Sequence, residues 1–227
     1  MTAISTPTID ILKNFSSINK SIVIKPGNKI STLALNKNIL AIAEVSEEFE
    51  SELAIYDLGV FIRGLALFSN PVIDTSQSNY VTVKDEIGST KSRFFYADPD
   101  IITQPPEKEI ELPSEDVKFD LTSSVFNKII NAAQWYMLTD VCIFGHDGEM
   151  QLQVVDKKNE TSNSFAVSLG ETDEEFCYCL KIENLNLARE IGKRSVDYSV
   201  TISKSGVARF DCLDMNLKYF IATEPNN

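Results

Sequence analysis

The feature that most limits the fold of this chain is the run Ala97-Asp-Pro-Asp-Ile-Ile-Thr-Gln-Pro-Pro-Glu-Lys-Glu-Ile-Glu-Leu-Pro113, which holds four prolines and five acidic residues. Proline withholds a backbone donor and restricts the residue before it, so neither a helix nor an interior strand passes through. The run reads as an extended connector. It divides the 227 residues into 1–96 and 114–227, each long enough for one modest core.

The two flanks repeat one order of patterns: helix, strands, helix, strands. In the first, Ile11, Leu12, Phe15 and Ile18 recur at helical spacing and predict a helix over about 8–20, capped by Thr8 or Asp10. Strand-like runs follow at Ile22–Ile24, Ile30–Leu35 and Ile39–Val45, with turns at Pro26-Gly-Asn28 and Asn36-Lys-Asn38. A second helix is expected over about 57–68, burying Leu58, Phe61, Ile62, Leu65 and Phe68. Strands Val72–Asp74, Tyr80–Lys84 and Ser92–Tyr96 complete this flank.

The second flank opens with a long helix over about 121–138 that turns Val125, Phe126, Ile129, Ile130, Ala133 and Met137 inward. Strands Val141–Phe144 and Met150–Val155 flank the hairpin turn Gly145-His-Asp-Gly148, and Ser164–Leu169 and Phe176–Ile182 extend the sheet. A short helix over about 184–191 ends at Gly192. A meander of Val196–Ile202, Val207–Cys212 and Leu217–Ala222 closes the chain. The expected fold class is α+β, with similar domains at 1–96 and 114–227 and the connector at 97–113.

Charge bears on function next. The net charge of −12 argues against a protein that grips DNA by bulk electrostatics, because an acidic molecule is repelled by phosphates at long range. The signs are segregated, however. Lys13 and Lys20 lie opposite the apolar stripe of the first helix, Arg63 opposite that of the second, and Lys128 and Asn131 opposite that of the third. Arg189, Lys193 and Lys204 gather around the fourth. The acids concentrate elsewhere, at Glu44–Glu50, in the connector, at Glu171–Glu175 and at Asp211–Asp214. If the helices share one surface, that surface is neutral to basic and the rest is acidic.

Several stretches resemble a known family, the DNA sliding clamps of the bacteriophage T4 type. Asp10-Ile-Leu-Lys-Asn-Phe-Ser-Ser-Ile-Asn19 is similar to the family's opening helix. Ala54-Ile-Tyr-Asp-Leu58, running into Gly59-Val-Phe-Ile-Arg-Gly-Leu-Ala-Leu67, resembles its second helix. Ala97-Asp-Pro99 resembles the start of its connector, and Tyr219-Phe-Ile-Ala-Thr-Glu224 its final strand. The resemblance implies a DNA clamp fold, with two similar domains that each pack two helices on curved antiparallel sheets. It implies a ring of six domains from three chains, helices lining the hole, around double-stranded DNA held without regard to sequence. It further implies a replicative DNA polymerase tethered for processive synthesis, a clamp loader, late-transcription factors, and a setting in the cytoplasm of an infected bacterium. Partner tails are expected in an apolar pocket near the connector, bordered by Ile101, Ile102 and Pro105, with Tyr219 and Phe220 as further candidates. The family's third helix bears arginine where this chain has Asn131 and Gln134, which implies a looser grip. A sliding ring needs weak contacts to phosphates, and an acidic exterior discourages binding on the outside. The competing expectation is a viral structural or adaptor protein that assembles through its sheet edges and never meets DNA.

The residues do not point to catalysis, a cofactor or a metal. The single histidine, His146, adjoins Asp147 but sits in a turn pattern. Cys177 and Cys179 share a strand face, read as buried thiols, and all four cysteines are expected to be free in a chain with no export signal at Met1–Pro7. The acceptor-like Asn159-Glu-Thr161 likewise lacks such a signal. No apolar run reaches the roughly 18 residues of a membrane span. Trp135, near the polar face of the third helix, is placed either to meet DNA or, the plainer expectation, to close the helix end against a loop or a subunit contact.

Overall fold

The structure, a computed structural model, describes every residue except Glu86, Gly88, Glu109, Glu160, Asn226 and Asn227. Glu109 of the expected connector and Glu160 of the acceptor-like triplet therefore lie outside the described residues. The chain divides into two compact units. The first comprises Met1–Glu109 with Glu190–Arg194 and Met215–Lys218; the second comprises Ile110–Arg189, Ser195–Asp214 and Tyr219–Asn227.

The first unit begins with β1 (Thr2–Ala3) and α1 (Thr6–Ile18). Neither Thr8 nor Asp10 caps α1. Ser5 does, its Oγ accepting the Thr8 N–H at 3.4 Å. A distant residue decides this start: the buried Glu47 carboxylate accepts the Ser5 N–H at 2.6 Å and the Thr8 hydroxyl at 2.5 Å. The helix buries Ile11, Leu12 and Phe15 and stops at Asn19, whose side chain donates to the Leu33 carbonyl. Lys20 thus lies just past the helix. β2 (Ile22–Ile24) pairs with β5 (Leu53–Ile55), and β3 (Gly27–Leu33) with β4 (Ile39–Phe49). α2 (Leu58–Leu65) is capped by Asp57 and runs shorter than its apolar stripe suggests. Its Gly64 admits the Phe94 ring so closely that an added Cβ would lie 2.1 Å from a ring carbon. Phe94 belongs to β8 (Lys91–Phe95), the last strand of a sheet ordered β1, β6 (Val72–Asp74), β7 (Tyr80–Lys84), β8.

The second unit departs further from its sequence pattern. Val117–Leu121 forms β9, with strict alternation of buried and exposed residues, where only the start of a helix was expected at Leu121. α3 (Ser123–Tyr136) follows, capped by Thr122, and the Ser123 N–H donates to Asp197 at 2.6 Å. It buries Phe126, Ile129, Ala132 and Ala133. Met137, expected inside, is 85% exposed, because it takes the left-handed conformation that ends the helix and swings its side chain out of the stripe. One sheet then runs in the order β12 (Phe165–Glu171), β11 (Glu149–Val155), β10 (Asp140–His146), β13 (Phe176–Lys181). The β10–β11 turn is Asp147-Gly148, both residues at positive φ as a two-residue hairpin loop requires.

The expected fourth helix is absent from the described residues. A single 3-10 turn at Ile182–Asn184 gives way to irregular chain and a small hairpin of β14 (Glu190–Ile191) and β15 (Arg194–Ser195). Asn184, Leu187, Ala188 and Ile191 are all buried, a spacing that imitates one face of a helix. Two buried tyrosines explain why no helix forms. The Tyr198 hydroxyl donates to the Ala188 carbonyl, and the Ala188 N–H donates to the Tyr219 hydroxyl, so the groups a helical ladder would use are already satisfied. Gly192 is not a helix terminator but one of two hairpin-turn residues, with Lys193, both at positive φ. The remaining strands, β16 (Tyr198–Ser203), β17 (Val207–Cys212) and β18 (Leu217–Ala222), lie in the order β18, β17, β16, β9.

The cysteines also differ from expectation. Cys142 on β10 stands directly opposite Cys179 on β13 and is joined to it by a disulfide. Free Cys177 lies 3.8 Å from Cys179, sulfur to sulfur. Strand pairing brings Cys142 into register across 37 residues, a proximity that no spacing in the sequence discloses.

Candidate nucleic-acid interface

α1 and α3 each leave a polar face in solvent, and α2 exposes Arg63 beside Val60. On α1 the exposed cation is Lys13, and it is not unopposed: its ammonium lies 3.0 Å from Asp10, one turn earlier. An exposed pair of this kind contributes little to stability, but the carboxylate offsets the charge that Lys13 offers outward. Lys20 is exposed at the junction where its carbonyl accepts the Leu58 N–H that begins α2. Arg63 is exposed in the last turn of α2, which contains no acid. α3 carries no acidic residue in 14 positions, and its Ser124 and Lys128 are exposed and its Asn131 half-buried. Trp135, on the same helix, is 74% exposed.

Arg189 and Lys193, expected around a helix, are instead carried on irregular chain. That chain still delivers each to a helix within its own unit. The Arg189 guanidinium approaches the Asn127 amide oxygen of α3 at 3.5 Å. The turn holding Lys193 is fastened to α1 by the Gly192 N–H, which donates to Asp10 at 3.1 Å. Asp10 therefore organises both neighbouring cations, a role that its position three residues before Lys13 hints at. Lys204 stands apart from the helices. It occupies the β16–β17 turn, its N–H donating to Asp116 at 2.8 Å and its ammonium 3.8 Å from the same carboxylate. The Lys204 N–H first, then the Ser114 hydroxyl, hold that carboxyl below its ordinary range.

The sequence and the fold have counterparts among known proteins. Over 225 residues the chain is 36% identical to the sliding clamp of Vibrio phage KVP40, which covers 96% of both chains. It belongs to the sliding clamp family. It is also 26% identical over 232 residues to the sliding clamp of Enterobacteria phage T4, covering 99% of this chain and 97% of that one. Residues 5–97 match the family model described as DNA polymerase processivity factor. Among solved structures, proliferating cellular nuclear antigen from Entamoeba histolytica superposes with a TM-score of 0.72 at 11% identity, covering 99% and 98% of the two chains. The corresponding antigen from Thermococcus kodakaraensis does so with a TM-score of 0.68 at 14% identity over 99% of each. At such identities the likeness establishes the clamp fold alone. The family consists of processivity factors for DNA polymerase, not enzymes.

In the clamp chain the expected partner residues separate. Ile101 is 63% exposed, and Pro105 is half-buried. Ile102 is a core residue, packed with Val23, Ala54 and Ala97, and it pins the connector to the first unit. Tyr219 and Phe220 are core as well, at 0% and 6% exposure, and Tyr219 is committed to the Ala188 backbone. Neither offers a surface to a partner. Both belong to a run, Tyr219 to Ile221, that is buried at three successive positions, which an alternation argument does not anticipate. The cleft at the start of the connector, about 420 Å³, is not apolar. Ser51, Thr75, Ser76, Gln77 and Tyr96 line it, and the Ser51 and Tyr96 hydroxyls are buried without a hydrogen-bond partner among the described residues.

Proposed function

We propose that three copies of this chain close into a ring around duplex DNA and tether the phage replicative polymerase in the cytoplasm of the infected host. A clamp loader opens the ring, and late-transcription factors use the same ring. The observation that carries this reading is a pair of free sheet edges, one in each unit. In the first unit β8 ends its sheet, with Lys91 and Arg93 exposed and Phe95 70% exposed. In the second, the seven-residue β12 ends its sheet and leads into Glu171, Asp173, Glu174 and Glu175. The opposite edges suit pairing less: β1 has two residues, and the outer side of β13 already bonds to Glu224. An edge strand is a template for another strand. One basic edge and one acidic edge per chain make a head-to-tail contact, which closes a ring if the rotation allows.

The inner wall in this reading comprises the exposed faces of α1, α2 and α3 with Lys13, Lys20, Arg63, Lys128 and Asn131, joined by Arg189 and Lys193. Lys204, held by Asp116, is the weakest member. Partner tails engage the connector at Ile101 and Pro105. The test combines two measurements on the double variant Arg93→Glu, Phe95→Asp. Sedimentation should move from trimer to monomer, and loader-dependent retention on nicked circular DNA should vanish. The unaltered chain should be retained on circles and lost when they are linearised. Equal retention on circular and linear DNA would overturn encirclement, and an unchanged trimer would move the joint away from β8.

A further inference from the structure

The single tryptophan of the chain is the largest side chain left in solvent on α3. Trp135 is 74% exposed. Large aromatic side chains are usually buried in good part, and one held outward on a regular helix marks a contact surface. Its place on the helix is informative. At roughly 100° per residue, Ser124, Lys128, Asn131 and Trp135 fall within about 60° of arc. The buried stripe of Phe126, Ile129 and Ala133 occupies another side. Trp135 thus extends the polar stripe that carries Lys128, on a helix with no acidic residue in a chain of net charge −12. Such a stripe is complementary to phosphate, and its cationic content is low.

We propose that Trp135 contacts the encircled duplex, its indole ring lying against the sugar edge of the backbone and its Nε1–H donating to a phosphate oxygen. An indole suits this role because it has a donor and a broad apolar face but no charge. It adds contact area to a surface that has one lysine, and it carries no base-edge preference, so the contact slides. The inference rests on the ring reading above, and a different residue tests it.

The experiment places the photo-cross-linking residue p-benzoylphenylalanine at position 135 in one full-length variant and at 128 in another. Each is loaded onto nicked circular duplex by the clamp loader, and retention is scored in the same samples. Cross-linking to DNA from both positions, lost on linearisation, is the expected result. DNA cross-links from 128 but not 135, or from 135 to a second protomer or to the loader, overturn the role of Trp135 and leave the ring intact. Retention without a cross-link from either position overturns the inner-wall assignment and this proposal with it, and no retention even of the unaltered chain overturns encirclement itself. In parallel, Trp135→Ala should shorten the dwell time on circles about two- to tenfold, the scale of one aromatic contact, with the trimer mass unchanged. Trp135→Phe should recover part of it. An unchanged dwell time for Trp135→Ala would also overturn the proposal.

Discussion

The two helices that open the units, α1 and α3, are built alike and finished differently. Each starts with a hydroxyl cap, Ser5 or Thr122, and each has a carboxylate from a distant strand or loop accepting an N–H at its first turn, Glu47 or Asp197, both at 2.6 Å. An anion at a helix start satisfies an orphan donor and opposes the helix dipole. The difference lies in burial and charge. Glu47 is 6% exposed and bonds three groups, whereas Asp197 is half-exposed. α1 pairs its lysine with Asp10, whereas α3 carries no acid and ends in Trp135, Tyr136 and Met137 in solvent. The start of the helix is duplicated between the units and the exposed face is not. The capping device is therefore one the units share, and the strength and chemistry of any DNA contact is a property of each.

The sharpest way to break this comparison is at the two carboxylates. Glu47→Ala leaves the Ser5 N–H and the Thr8 hydroxyl without their partner in a buried site. It should cost about 3 kcal/mol in a denaturant titration, the scale of a lost cap plus unsatisfied buried groups. Asp197→Ala should cost about 1 kcal/mol. Equal costs would mean that burial of the carboxylate does not distinguish the two starts.

Acid should act on the same contrast. Burial alone would raise the Glu47 carboxyl, but hydrogen bonds from Thr8 and Ser5 outweigh it and hold the group below its ordinary value. A depressed carboxyl contributes stability that is fully present above its unfolded value and is lost as pH falls through its native one. Thermal melts across pH 7 to 3 should show a loss at the acid end that Glu47→Gln flattens. A parallel acid slope in Glu47→Gln would assign the loss to other carboxylates.

The absent fourth helix gives a smaller effect with a diagnostic sign. Lys193 holds a positive φ in its hairpin turn, which costs a non-glycine residue about 1 kcal/mol. Lys193→Gly should stabilise the chain by up to that amount, whereas Lys128→Gly, inside α3, should destabilise it by about 1 kcal/mol. The same sign for both would mean that the positive φ at Lys193 carries no cost. The smallest expected effect sharpens the comparison of faces. Asp10→Asn keeps an acceptor for Gly192 but frees Lys13, and it should steepen the salt dependence of retention on circular DNA by at most about one unit. No change would show that Lys13 does not meet phosphate.

Much of the first unit was legible from spacing alone. Ile22–Ile24, Val72–Asp74 and Tyr80–Lys84 form strands with those bounds, and α1 and α2 fall where their stripes place them. β9 was legible too, since Val117, Phe119 and Leu121 alternate with charged residues, but the adjoining helical stripe drew Leu121 into the helix. The segment 184–191 was not legible, because its buried residues keep helical spacing while two tyrosines distant in sequence claim the backbone of Ala188.

Legible in the residues alone were the proline-rich break between the flanks, the acidic balance, and the polar faces of α1 and α3. These follow from local rules: proline geometry, periodicity, and the cost of burying charge. Long-range packing set the rest: Ser5 caps α1, Cys142 meets Cys179, Ile102, Tyr219 and Phe220 are core, and Trp135 is left in solvent. Each of those depends on a partner far along the chain, or on the lack of one, and strand register and packing set such proximities after the local elements have formed.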